Sequence, residues 1–334
     1  MDDLSLARAL VRTLTGRLVD RCLPSEPARV GRTLVADSVG ITLAAATEGL
    51  ADRLQAGLGA PGPVAAAFVH SAMAHTLDFD DIHDRARLHA TTVTFPAALA
   101  VAQDDTPWDE VVAAAMLGSE LMCRIGAACA PGGTGSGSSW FLTQLLGYAG
   151  AALASGLILG LKEDALVSAL GLAYMQSAGG KEPAFGVGSS ARSLYPAFAA
   201  MGGVTAARLA SVGVDGPEGS LDGIAGLLPL YLDLPVAEEL RARLLRSEWV
   251  FPATLTKPWP CCRLSHSYVA AALQLGASSI DHINTLAIGV NASAERLCVP
   301  LAARQRPATL HDAKYSIPFV TAATLVHGPP RWRP

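Results

Sequence analysis

Apolar side chains recur at intervals of three and four along most of this chain, the spacing that gathers them on one face of a helix. The first such run, Leu4 to Leu23, puts Leu6, Leu10, Leu14, Leu18 and Cys22 on one stripe and stops before Pro24, whose ring cannot continue a helix. A second, 27–48, opens on Pro27, where the missing N–H costs nothing, and ends near Gly49. Further helices are predicted over 63–79, 92–103, 107–126, 140–160, 163–178 and 191–213. Alanine and glycine crowd the last four, so those helices are expected to approach one another closely. Gly59 to Pro63, Pro131 to Ser139, Gly179 to Gly188 and Gly213 to Pro217 read as the loops between them.

The pattern changes after about residue 250. Pro252, Pro258 and Pro260 interrupt it, and a short helical piece at 264–276 follows. Ile283-Asn-Thr-Leu-Ala-Ile-Gly-Val290 then reads as a strand, and 312–327 as a last helix. The expectation is a mainly α protein, with a helical domain over 1–255 and a smaller, partial α/β lid over 256–334, separated by a cleft.

Composition narrows the function classes. With 334 residues, 51% apolar and 16% charged, the chain can build a large buried core. Its net charge of −4 and lack of a basic run leave no electrostatic footprint for nucleic acid. No stretch offers the ~20 uninterrupted apolar residues of a membrane span, and Met1-Asp-Asp-Leu-Ser is not the basic start of a signal peptide. Six cysteines, at 22, 123, 129, 261, 262 and 298, include no CxxC pair, so a reducing, cytoplasmic setting is expected. Adjacent Cys261 and Cys262 read as buried or cleft-lining thiols.

The densest chemistry lies in His75-Thr-Leu-Asp78-Phe-Asp80-Asp81-Ile-His83-Asp84 and on to His89. Carboxylates crowded at the end of an apolar helix raise at least one pKa and form acid/base pairs with histidine. Helical spacing would place Asp78 and Asp81 on one face. Locally, three other readings stand. Asp80-Asp81-Ile-His-Asp84 fits the D-D-x-x-D motif that holds magnesium and a diphosphate, although neither Asn284 nor Asn291 begins the second metal motif of such enzymes. His75 and His83 with aspartates could ligate a metal, at a spacing that fits no standard zinc or di-iron pattern. The segment could also be a solvated acidic turn. Pro131 to Ser139 lacks the lysine of a phosphate-binding loop and reads as a connector.

The His75–His89 segment with Thr94-Phe-Pro-Ala-Ala-Leu-Ala100 resembles the signature of the MmgE/PrpD family, and three further stretches match in order. They are Gly202 to Gly213 with Gly216-Pro217, Lys257-Pro-Trp-Pro-Cys-Cys-Arg-Leu-Ser-His266, and Asp312-Ala-Lys-Tyr-Ser-Ile-Pro-Phe-Val320. The resemblance implies a helical domain with an α/β lid, a site between them, a homodimer, no metal or organic cofactor, and proton abstraction beside a carboxylate. Carried over by position, it makes Asp78, His89 and Lys257 catalytic, His89 the proton carrier oriented by Asp78. It makes Arg192, Arg263, His266, Cys262, Phe141 and Ile82 substrate-binding, the arginines and Lys257 as carboxylate holders. Asp80, Asp81 and Asp84 are then expected to be structural.

Several positions depart from the family's decarboxylases. Ile82 stands for a threonine, Phe141 and Cys262 for histidines, Arg192 for a lysine and Phe319 for a tyrosine. Fewer polar groups predict a more apolar pocket and a non-standard substrate. The lid is also expected to be short. Three functions are therefore compatible with the sequence: a dehydratase-like lyase or isomerase, a magnesium-dependent diphosphate enzyme, and a catalytically degenerate relative.

Overall fold

A computed structural model describes residues 4–129, 139–185, 187, 190–276 and 283–331, so the connector expected over 131–139 falls outside it except for Ser139. The fold is mainly α. Helices α1 (Leu6–Thr15), α2 (Ser25–Ala45), α3 (Leu50–Leu58), α4 (Pro63–Thr76), α5 (Thr91–Val101) and α6 (Trp108–Cys129) come first. They are followed by α7 (Leu142–Ile158), α8 (Glu163–Tyr174), α9 (Tyr195–Ser211), α10 (Leu227–Leu232) and α11 (Glu238–Leu245). The Ser5 hydroxyl caps α1 by accepting the Arg8 N–H, and Pro63 opens α4. Helix α1 is shorter than its apolar stripe. Beyond Gly16, Asp20 and Arg21 take left-handed backbone angles, and Val19 pairs with Cys22 in a tight turn.

Small residues decide how the core packs. A Cβ on Gly203 of α9 would lie 2.3 Å from the Ala151 Cβ of α7, and one on Gly118 of α6 would lie 2.4 Å from the Gly150 carbonyl. Helices α6, α7 and α9 thus meet almost backbone to backbone, with α7 buried from Leu145 to Gly156. Trp108–Ala128 is long and apolar enough to cross a membrane, but 94% of its most apolar window is buried inside the protein. It also carries a buried ion pair, Glu120 with Arg124 at 2.6 Å. Glu120 accepts the Val250 and Phe251 N–H groups, while Arg124 donates to the Leu244, Arg246 and Glu248 carbonyls. This pair satisfies backbone groups between the C-terminal end of α11 and Phe251, where the regular helical ladder has run out.

The main core runs as far as Phe251. Beyond it lie α12 (His266–Leu275), α13 (Leu301–Gln305), α14 (Leu310–Lys314) and α15 (Ile317–His327), packed around small clusters such as Ala294, Leu297, Tyr315 and Ile317. The Ser316 hydroxyl caps α15 by accepting the Phe319 N–H, and Pro318 sits in its first turn. The strand expected over 283–290 is not realised: the segment forms no ladder among the described residues. Its Ile283 and Leu286 are 40% and 38% exposed, and only Ile288 and Val290 reach the local core. A β pattern without a neighbouring strand to take up its N–H and C=O groups does not become a strand.

Candidate active site

Helix α4 ends at Thr76, and Asp78 follows with φ of 54°, in the left-handed region. The chain therefore leaves the helix axis before the acidic cluster begins, and Asp78 and Asp81 do not share a helical face as their spacing predicted. Ile82 and Leu255 exchange two backbone hydrogen bonds of 2.9 Å, and His83 donates its N–H to the Leu88 carbonyl. These contacts fold 79–90 inward, so that Asp78, Asp80 and Asp81 are buried while Asp84 stays exposed.

Each buried carboxylate has its own partner. Lys257 Nζ lies 2.8 Å from Asp78 Oδ1 and from the Asp78 carbonyl, and 3.7 Å from Asp80 Oδ1. Asp80 Oδ2 lies 2.8 Å from His75 Nδ1 and 3.1 Å from His89 Nδ1. Asp81 accepts the Thr91 hydroxyl at 2.8 Å. The carboxylate paired with His89 is thus Asp80 rather than Asp78, which corrects the role expected for each. Burial works against charge on Asp80, but His75, His89 and Lys257 outweigh it and hold its carboxyl well below the usual range. Burial and the Asp80 charge push Asp81 up to about 6. Asp37 of α2, beneath the cluster, is pushed up to about 7 by burial, Asp81 and Asp80.

The ring of His89 is fixed by two acceptors. Its Nδ1 is 2.6 Å from the Asp81 carbonyl, an oxygen that can only accept, so Nδ1 carries the proton. The neutral ring then presents Nε2 as its base. Burial disfavours the imidazolium, but Asp80 outweighs burial and raises the pKa of His89 above its ordinary value.

His89 opens on a cavity of about 190 Å³. Phe141 and Tyr195 line one wall as a parallel stack, ring centroids 4.3 Å apart, and the Arg192 guanidinium lies 3.4 Å above the Tyr315 ring. Burial raises the pKa of both tyrosine hydroxyls, so they remain neutral donors. Five cationic residues line this space: Arg87, Lys181, Arg192, Arg263 and Arg296. The pocket is not the apolar one expected, because cations scattered through the sequence converge on it.

Of the residues singled out in the sequence, Asp78, His89, Ile82, Phe141, Arg192, Cys262 and Arg263 all line the cavity. Arg263 is already engaged in a two-pronged ion pair with Asp84, at 3.0 and 2.7 Å. Lys257 does not line the cavity. It is buried behind Asp78 and directed at its carboxylate, so it supports the site instead of gripping a ligand. His266 does not line it either: its ring lies edge-on to Trp259 and near the Cys261 carbonyl, and burial lowers its pKa to about 4. Phe319 is also absent from the walls, and Tyr315 supplies the late aromatic group. Tyr195, Tyr315, Arg87, Lys181 and Arg296 were missed: Tyr315 and Arg87 lie inside quoted motifs but were not singled out there, and the other three are single residues without local pattern.

The D-D-x-x-D reading does not survive the geometry, because Asp80, Asp81 and Asp84 face His75 and His89, Thr91 and Arg263 respectively. His83 is taken up by the Val250 carbonyl and the Ala86 N–H. Among the described residues, one group with metal-ligand potential brings its atoms within 4.8 Å: His75, Asp80 and His89. Two imidazoles sharing one carboxylate oxygen, with Lys257 beside the other, form a network suited to holding protons.

Sequence comparison meets this geometry at both ends of the chain. The MmgE/PrpD N-terminal domain matches residues 59–239, and the MmgE/PrpD C-terminal domain matches residues 259–333. A cis-aconitate decarboxylase of Aspergillus terreus is 28% identical over 287 residues, 79% of this chain and 57% of that protein. The cis-aconitate decarboxylase-like protein oryM of Aspergillus oryzae is 28% identical over 291 residues, 80% of this chain and 59% of that protein. The chain thus spans a little over half the length of these curated relatives.

Proposed function

Because the chain belongs to the MmgE/PrpD family, we propose that it is a lyase that moves a proton at a carbon beside a carboxylate, with His89 as the proton carrier. The observation that carries this reading is the locked tautomer of His89. Its Nδ1–H is held by the Asp81 carbonyl and the Asp80 carboxylate, which leaves Nε2 as the base for the cavity. Relatives whose names give cis-aconitate decarboxylase support the reaction class.

In an elimination, Nε2 takes the proton from the carbon next to the carboxylate. The C–H electron pair passes through the enediolate into the new double bond, and the leaving group departs. In a decarboxylation, the ring starts as the imidazolium with Nε2 protonated from solvent; the bond to the carboxyl carbon breaks, carbon dioxide leaves, and Nε2 gives its proton to the carbanion. Elimination places negative charge on the enediolate oxygens, and decarboxylation does so where a second carboxylate is conjugated with the carbanion; Arg192 and the neutral hydroxyls of Tyr195 and Tyr315 line the cavity where that charge develops. Asp78, kept anionic by Lys257, can accept a hydrogen bond from a substrate hydroxyl through its Oδ2, which has no partner in the protein.

The test is proton NMR of small di- and tricarboxylates incubated with the full chain in D₂O. Deuterium incorporation or turnover is expected, and His89→Ala should lower it by about 10²-fold or more while the fold stays intact. Undiminished exchange in His89→Ala would overturn the assignment. Silence across the panel, with the protein folded, would favour the degenerate reading.

A further inference from the structure

Asp80 Oδ2 stands between two imidazoles, with His75 Nδ1 at 2.8 Å and His89 Nδ1 at 3.1 Å. The two contacts are not equivalent. His89 Nδ1 has a nearer acceptor in the Asp81 carbonyl at 2.6 Å, so its N–H is spent mainly there. An ionised carboxylate can only accept, so His75 Nδ1 carries a proton and makes the closer hydrogen bond to Asp80.

His75 is placed for that one contact. It lies in the last turn of α4, is buried, does not line the cavity, and its Nε2 has no hydrogen-bond partner among the described residues. A ring that reaches neither solvent nor the cavity does not touch a substrate. Tyr195 packs edge-on against it with ring centroids 4.8 Å apart, and His89 does so at 5.2 Å, which holds its orientation. Asp80 needs such an anchor, because the left-handed angle at Asp78 has already taken the chain off the helix. The donor also bears on charge. Among the described residues, the titratable groups set around Asp80 are His75 of α4, Asp78, Asp81 and His89 of the segment after it, Asp37 of α2, Tyr195 of α9 and Lys257. A donor on Oδ2 satisfies part of the carboxylate's charge, and that part no longer favours a proton on His89.

We propose that His75 is a positioning residue for the proton carrier: its Nδ1–H occupies the Asp80 oxygen that faces His89, ties that carboxylate to the rigid end of α4, and keeps part of its charge off the His89 ring. This inference rests on the reading of His89 as the proton carrier. It gives Asp80 two opposed neighbours, His89 drawing on its charge and His75 limiting how much is available. A ring that held its proton too firmly would be a poor base, so His75 keeps Nε2 of His89 usable.

The experiment is NMR of the histidine-labelled full chain, titrated with pH, with the His89 signal assigned by its loss in His89→Ala. It needs no turnover. His75→Phe keeps a ring for Tyr195 to pack on but removes the donor, and His89 should then titrate higher by about 0.5–1 pH unit. His75→Asn sets an amide N–H close to the position of the lost Nδ1–H and should leave His89 near its parent value. A role in packing alone gives the opposite sign in His75→Phe, because a loosened Asp80 lets His89 fall back toward an ordinary imidazole. A downward or absent shift in His75→Phe, or an upward shift as large in His75→Asn, overturns the proposal. If His75→Phe does not fold, the smaller His75→Leu is read in its place, and a displaced His89 titration in His75→Asn overturns the proposal by itself. Where a carboxylate is turned over, the acidic limb of the pH–rate profile should move up in His75→Phe. Silence across the carboxylates with the NMR shift intact would sink the lyase reading and leave the His75 contact standing, whereas turnover with an unmoved His89 titration would sink the role of His75 alone.

Discussion

At the scale of single residues, the proposed chemistry turns on the division of labour between Asp78 and Asp80. Asp80 touches His89 and raises its pKa, and the ring must lose that proton before Nε2 can act as a base. The rate of an elimination limited by His89 therefore rises with pH through the raised pKa. Asp80→Asn removes the charge that stabilises the imidazolium, so the acidic limb of the pH–rate profile should move to lower pH. The maximal rate should also fall by about 10²-fold, because the ring loses its orienting anion. An unshifted limb would show that another group sets it. Arg192→Lys probes the other end: a lysine keeps the charge but cannot lie flat over Tyr315, so KM should rise several-fold with the acidic limb unmoved. The identities of Asp78 and His89 were legible in the sequence, but their partners were not. Spacing assumes that a helix continues, whereas the left-handed angle at Asp78 redirects every later side chain. Lys181 and Arg296 carried no local signal at all, because their meaning comes only from the cavity they share.

At the scale of elements, periodicity located the helices well where both faces of the argument were available. Helices α4 to α9 were legible because apolar stripes coincided with start and stop residues such as Pro63 and the acidic opening of α8. The extension of α1 to residue 23 and the strand over 283–290 were not, since a stripe or an alternation says nothing about whether a partner is present to meet it. The abundance of small residues in α6, α7 and α9 did announce close packing. Gly203→Ala would force a methyl to within 2.3 Å of Ala151, against a neighbouring backbone that cannot yield. It should cost about 1–3 kcal/mol in chemical denaturation. The buried Glu120–Arg124 pair makes a sharper prediction. Arg124→Met leaves Glu120 charged in the core and strips the Leu244, Arg246 and Glu248 carbonyls of a donor. A loss of about 3–5 kcal/mol is expected, and a cost under about 1 kcal/mol would mean that the segment finds other partners.

At the scale of the whole molecule, charge is sorted by depth. The chain is acidic overall, at −4, yet five cationic side chains line the cavity beside His89, a field that favours anionic ligands there. Beneath the cavity, Asp37 and Asp81 hold protons more tightly than in an unfolded chain. Both ionise near pH 4 when unfolded, but near 7 and 6 in the fold. Between those limits the folded protein binds more protons than the unfolded chain, so stability falls as pH rises through the window, and the loss is complete above about pH 7. Asp37→Asn removes one of the two groups without altering the His89–Asp80 contact. It should raise the melting temperature more at pH 8 than at pH 5, and it should flatten the difference between those two conditions relative to the parent protein. The comparison isolates Asp37 together with its charge coupling to Asp81, because His89 keeps its own pH dependence in both proteins. An identical pH slope in parent and variant would mean that Asp37 is hydrated and ionises as an ordinary surface acid. In that case Asp81 alone would carry the buried proton beneath the site.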